Sequence, residues 1–295
     1  MATFPRWLVS LVFLSGLAGL RAEVVTVNAQ TFNRYKREQM PDGSFKEELY
    51  SFGEGGCWSR AMKDPWMDKL QFMDVARAVA APLAKVNYRP ALKTADAKLL
   101  ILVFWGSTQG SSGIDHNNVI EQTGKAVSDY DRVANPEGKS GRLVDAKPVD
   151  ARTPEGAAYE NLLWQLGVGN RIRDELDEQN ARILGYSEAL DRARFALTTG
   201  LSRDVVEELA NNRYYVVLQA YDFQAALKEK KLRPLWTTRL SVSETGKFGD
   251  ALSRMIWSGN RYFGRNTDGL KREREAIVEL PPIDFLEELS TPPPK

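Results

Sequence analysis

The sequence predicts an α/β domain of the α+β kind, with a mixed, mostly antiparallel sheet, helices packed on it in a second layer, and a helical insertion. Three observations predict it. "KLLILVFW", residues 98–105, is the continuous apolar run expected of a strand covered on both faces. "RYYVVLQAYDF" (213–223) and "PLWTTRLSVS" (234–243) have strand length and a short enough connection to pair as an antiparallel hairpin. Residues 68–87 and 249–263 repeat apolar side chains at helical spacing.

In chain order, "MATFPRWLVSLVFLSGLAGLRAE" places Arg6 before an uncharged run from Trp7 to Leu20 and closes in Ala22. That is the layout of a secretory signal cleaved after Ala22. Fourteen residues are too few for a span that needs about 20, and no cysteine stands at the cleavage point to carry a lipid. The expectation is a soluble periplasmic or secreted protein with no membrane span. Its single domain covers 23–280, with a loop and helical insertion at about 107–210, before a Pro-rich tail at 281–295 that is expected to be disordered.

Within the domain, "TFNRYKREQMPDGSFKEELYSFGEGG" reads as two strands of a hairpin turned at Pro41-Asp42-Gly43-Ser44, where Pro presets φ and Gly supplies a positive φ. In 68–87 the expected buried stripe is Leu70, Met73, Ala76, Ala80 and Leu83, and Pro82 is expected to kink or shorten the last turn. Residues 107–153 carry almost no periodicity and read as a long loop. From Pro154 to about Leu197 the chain is helical in character, with Leu162, Leu166, Ile172, Leu176 and Ile183 as the apolar stripe. A short helix follows from Asp204 to Ala210, with Ser202 as candidate cap. In 234–243, Trp236, Thr238, Leu240 and Val242 alternate with Thr237, Arg239, Ser241 and Ser243, which predicts one buried and one wet face. The last helix groups Leu252, Met255 and Ile256 and ends near Gly264.

With 43% hydrophobic and 27% charged residues the chain has the composition of an ordinary globular protein rather than a disordered one. Removal of 1–22 takes away Arg6 and Arg21 and no acid, leaving 40 − 2 = 38 Lys+Arg against 39 Asp+Glu, a net charge of −1. This balance argues against nucleic acid and against an anionic membrane surface as partners. Cys57 is the only cysteine, so no intramolecular disulfide forms, and a core of this size holds without one. The absence of any N-x-[ST] acceptor points to bacterial secretion.

The loop "GSTQGSSGIDHNN" is glycine-rich, yet Gly113 is followed by Ile114 where a P-loop needs Lys, and no G-x-G-x-x-G occurs, so no nucleotide cofactor is expected. "GSTQG" has the outline of G-x-S-x-G but centres on Thr108. His116 is the only histidine and lies beside Asp115 in the same loop, an adjacency that rarely gives triad geometry. It is expected to be dispensable. No metal is expected: one Cys and one His cannot build a zinc site, and the spacing of Asp115, Asn117, Asn118 and Glu121 does not match an EF-hand loop. The remaining catalytic candidates are Asp222, at the end of an apolar strand, and Glu54 in "GEGG", which as a carboxylate pair would suit a hydrolase of envelope carbohydrate or peptide. Candidate binding residues are Trp105, Asp115 and Arg239.

"TADAKLLILVFWG" together with "RYYVVLQAYDF" and "RPLWTTRLSVSETGKFGDALSRMIWSGNRYFG" resembles blocks found in small bacterial exported proteins and envelope lipoprotein domains of unknown function. The resemblance covers about half the mature chain, which departs from the pattern in lacking a lipobox cysteine and in the length of 107–210. It implies an envelope location and this fold, and brings no catalytic residues with it. The reading is an exported accessory or binding protein whose partner is an envelope protein or cell-wall component, with the hydrolase as the alternative.

Overall fold

The computed structural model describes residues 24–59, 67, 69–113, 171–195 and 200–274. Its seven strands form one sheet in the order β3-β2-β4-β5-β6-β1-β7. They are β1 (Val24–Thr31), β2 (Glu48–Ser59), β3 (Tyr88–Pro90), β4 (Leu99–Thr108), β5 (Arg213–Asp222), β6 (Pro234–Ser243) and β7 (Lys271–Arg274). β2 runs parallel to β3 and β4, and the other pairings are antiparallel. The sheet is therefore mixed and mostly antiparallel, as the sequence predicts.

One face carries the main core. Leu99, Ile101, Val103 and Trp105 of β4, Tyr214, Val216, Leu218 and Ala220 of β5, and Trp236, Leu240 and Val242 of β6 pack beneath α1 (Phe72–Lys85) and α6 (Phe248–Gly259). Of the stripe expected for α1, Ala76 and Leu83 are buried, Leu70 and Ala80 are half-buried and Met73 is not buried. Val75, Ala76, Val79 and Leu83 are buried and Met73 is 54% exposed, because α1 must present one face both to the sheet and to α6 beside it. Pro82 is accommodated inside α1, which continues to Lys85.

The turn at 41–44 forms with the expected chemistry, Asp42 Oδ1 accepting from Ser44 N (2.9 Å) and Met40 O from Gly43 N (2.9 Å). The hairpin around it does not. Only Gln39 and Phe45 are bridged, while β1 joins β6 and β7 and β2 joins β3 and β4. β5 and β6 are antiparallel neighbours, but "QAALKEKK" between them begins as a helix, α5 (Phe223–Glu229), rather than as an open connection.

The second sheet face is not wet as the alternation in β6 predicts. Thr237 and Ser241 are 5% and 1% exposed. The helical insertion covers them: the helix 171–184 (α2), α3 (Ser187–Phe195) and α4 (Gly200–Ala210) pack Ala181, Leu184, Tyr186, Leu190, Val205 and Leu209 on Tyr215 and Val217 of β5. Ile172, expected in the stripe, is 45% exposed, and α4 starts before Ser202 rather than after it. Leu162 and Leu166, the expected signal segment 1–22, the loop beyond Gly113 and the Pro-rich tail lie outside the described residues.

Candidate functional site

The polar side chains of the covered face converge on Glu208 of α4. Strand alternation puts Thr26 of β1, Ser241 of β6 and Arg272 of β7 in one row, since Thr26 lies opposite both Ser241 and Arg272. Arg213, first residue of β5, reaches the same row from above. Glu208 Oε1 accepts from Arg272 Nε (2.7 Å), and Oε2 accepts from Thr26 Oγ1 (2.9 Å) and from the Tyr186 hydroxyl, with Arg213 Nη2 at 3.5 Å. Arg213 also donates through Nε to Ser241 Oγ (3.2 Å) and through Nη2 to Ser241 O (3.2 Å).

A carboxylate offers about four lone-pair sites, and here four donors face them. Burial pushes the Glu208 carboxyl up, but the charge of Arg213 and the hydrogen bonds from Tyr186 and Arg272 outweigh it, so its pKa lies below the usual carboxylate value. Burial drives the Tyr186 hydroxyl well above its ordinary value. The pair is thus fixed as carboxylate and phenol. With three of the donors at Oε2 and one at Oε1, the carboxylate clamps the helical insertion to the sheet.

A second buried cationic group lies on the turn side of the sheet. The Arg37 guanidinium sits between the rings of Phe45 (4.3 Å) and Tyr88 (3.9 Å), and its Nη2 donates to Lys46 O (3.4 Å). Nearby, Tyr35 donates to Glu48 Oε2 (2.6 Å) and contacts the Tyr88 hydroxyl (3.1 Å). Burial raises both phenols, so neither ionises near neutral pH.

The residues singled out in the sequence do not assemble. Asp222 caps α5, its Oδ1 accepting from Ala225 N (3.0 Å), and its Oδ2 lies 4.0 Å from Arg233, not Arg239. Glu54 is exposed on β2 opposite Val103, whereas Asp222 is opposite Leu99 on the other side of β4. Four residues along the strand and two strand spacings put their backbones roughly 16 Å apart, beyond the about 5–10 Å that paired glycosidase acids span. Trp105 is 2% exposed in the core, stacked on Phe72 at 6.4 Å. Arg239 lies under Gly185 next to Asn28, where burial lowers its pKa, and it makes no ion pair among the described residues. Asp115 and His116 lie outside the described residues.

The glycine-rich loop has a structural explanation at Gly110. Its N–H donates to Asn212 Oδ1 (2.8 Å), so it is not offered to an anion. A Cβ at this position would fall 2.3 Å from Ala210 O, at the end of α4. Because the obstacle is backbone, Gly110→Ala is expected to cost about 1–3 kcal/mol, the usual range for overpacking; a urea midpoint equal to that of the wild type would contradict this.

Fold and site together define an α/β mixed-sheet domain whose helical insertion is clasped to the sheet by an Arg–Glu–Arg group. No protein-family model matches the chain, and no curated protein matches it. Among the described residues there is no helix long and apolar enough to cross a membrane, and no group of three or more His, Cys, Asp or Glu placed to hold a metal ion.

Proposed function

We propose that the chain is an exported accessory protein of the bacterial envelope that binds an envelope component. The observation that carries this reading is the use of Glu208 as a structural clasp, its carboxylate facing four intramolecular donors. Asp222, the other leading acid, is spent on a helix cap. What such a domain offers a partner is its outer surface. Export is supported by the layout of residues 1–22, with Arg6 before an uncharged run from Trp7 to Leu20 and Ala22 at its close.

The test combines localisation with an acid variant. N-terminal sequencing of the protein from periplasm or medium is expected to begin at Glu23; an intact Met1 in the cytoplasmic fraction would overturn the reading. Asp222→Ala is expected to lose about 1 kcal/mol through the lost cap. Turnover of cell-wall glycan or peptide by the wild type that disappears in Asp222→Ala would establish the hydrolase instead.

A further inference from the structure

One end of the sheet, where β4 and β6 begin and β5 finishes, carries three leucines that the core does not use. Leu92, Leu227 and Leu232 are 75%, 53% and 58% exposed. They stand on two connections, β3 to β4 and β5 to β6, that are tied together. Gln224 Nε2 donates to Ala95 O (3.1 Å) and Ala97 O (3.0 Å), Phe223 N to Lys98 O (2.9 Å), and Asp222 N to Arg233 O (3.0 Å). Single exposed leucines need no explanation, but three on one end, set among cations, do.

The same connections concentrate positive charge. Residues 92–98 carry Lys93 and Lys98 against Asp96, 2 − 1 = +1, and residues 227–234 carry Lys228, Lys230, Lys231 and Arg233 against Glu229, 4 − 1 = +3. The sum over these segments is +4, or 4 − 1 = +3 with Asp222, which lies beside Arg233, on a chain whose net charge over 23–295 is −1. Averaging over the whole chain hides this end. Arg233 is partly neutralised by Asp222 (4.0 Å) and Glu229 (3.7 Å), whereas the five lysines make no ion pair among the described residues.

We propose that this end of the domain docks on an anionic lipid bilayer, the leucines entering the interfacial layer while the lysines contact the headgroup phosphates. The proposal rests on the envelope reading for the place where such a bilayer is met, and names the component that is bound. A bilayer is favoured over an acidic protein on two grounds. The leucines are each more than half exposed, which suits insertion into a deformable interface. The charges are lysines, compact and flexible point charges, whereas bidentate recognition of carboxylates favours arginine, and the one arginine present is engaged.

The purified mature chain, residues 23–295, is to be sedimented with vesicles of mixed phosphatidylglycerol and phosphatidylcholine and with vesicles of phosphatidylcholine alone. Binding to the anionic vesicles is expected to be at least about tenfold tighter and to weaken in about 0.5 M salt. Leu227→Ser with Leu232→Ser, and separately Lys228→Glu with Lys230→Glu and Lys231→Glu, are each expected to weaken it about tenfold, with the circular dichroism spectrum unchanged. Absence of binding by the wild type, or wild-type binding by either variant, overturns the proposal. Equal capture of polyglutamate by the wild type and the leucine variant, with no vesicle binding, would assign the surface to acidic proteins. The vesicle assay does not depend on where the chain resides, so failure of export and failure of docking are separately visible.

Discussion

Replacing Glu208 by alanine is expected to destabilise the protein by about 3 kcal/mol, the lower end of what is lost when one member of a buried ion pair is removed. The cost arises from what remains. Arg213 has a side chain only 3% exposed, and without Glu208 its charge keeps only neutral partners, Ser241 and Thr26. Tyr186 loses its carboxylate acceptor in the same step and keeps only the Ser241 hydroxyl, at 3.2 Å. The value stays at the lower end because Arg272 is 26% exposed and is partly compensated by water. Glu208→Gln retains one acceptor oxygen and is expected to lose about half as much. Urea unfolding measures both, and a loss below about 1 kcal/mol for Glu208→Ala would show that the clasp contributes little.

The same carboxylate makes stability depend on pH in a defined direction. Its folded pKa is depressed, so its contribution is complete above the unfolded value of about 4.3 and is lost as pH falls through the folded value. Glu273, held low by Tyr262 and Arg261 against the effect of burial, acts in the same direction, so the wild type alone does not isolate Glu208. The difference between the wild type and Glu208→Gln is expected to shrink on going from pH 7 to pH 3. A difference constant with pH would mean that Glu208 does not titrate differently in the folded and unfolded chains.

The central strands were legible because their signals are local. The apolar run of β4 and the paired patterns of β5 and β6 each report their own burial, and all three strands form where they are expected. The partners of β1 and β2 were not legible. A sound turn at Asp42-Gly43 says nothing about whether the chain beyond it continues to pair, and left-handed Asn33 and Arg34 (φ 51° and 58°) turn it away from β1. The clasp was missed for a related reason: Glu208, Arg213 and Arg272 lie on three elements brought together only because β1 sits between β6 and β7. One signal was present. Arginine at the mouth of "RYYVVLQAYDF", and the charged run "KRER", are costly in a sheet unless an acid meets them. The polar alternation of β6 was read as solvent exposure when it marks a hydrogen-bonded layer beneath the insertion.

Trp105→Ala is expected to cost about 3–5 kcal/mol, the range for removing a buried tryptophan. Its indole is 2% exposed on the core face of β4, between α1 and the strands, with Phe72 stacked at 6.4 Å and Val216 opposite on β5. Removing it leaves a void that flanking strands, held by ladders on both sides, cannot close. Trp105→Phe keeps a ring against Phe72 and deletes an indole N–H that has no hydrogen-bond partner, so its cost is expected to fall to about 1–2 kcal/mol. A binding role makes the opposite forecast, with stability unchanged and affinity lost. Urea unfolding, paired with vesicle sedimentation under conditions where each variant remains folded, separates the two: the alanine variant is expected to unfold at much lower urea yet to sediment with anionic vesicles as the wild type does, because Trp105 lies toward the far end of β4 from Leu92, Leu227 and Leu232.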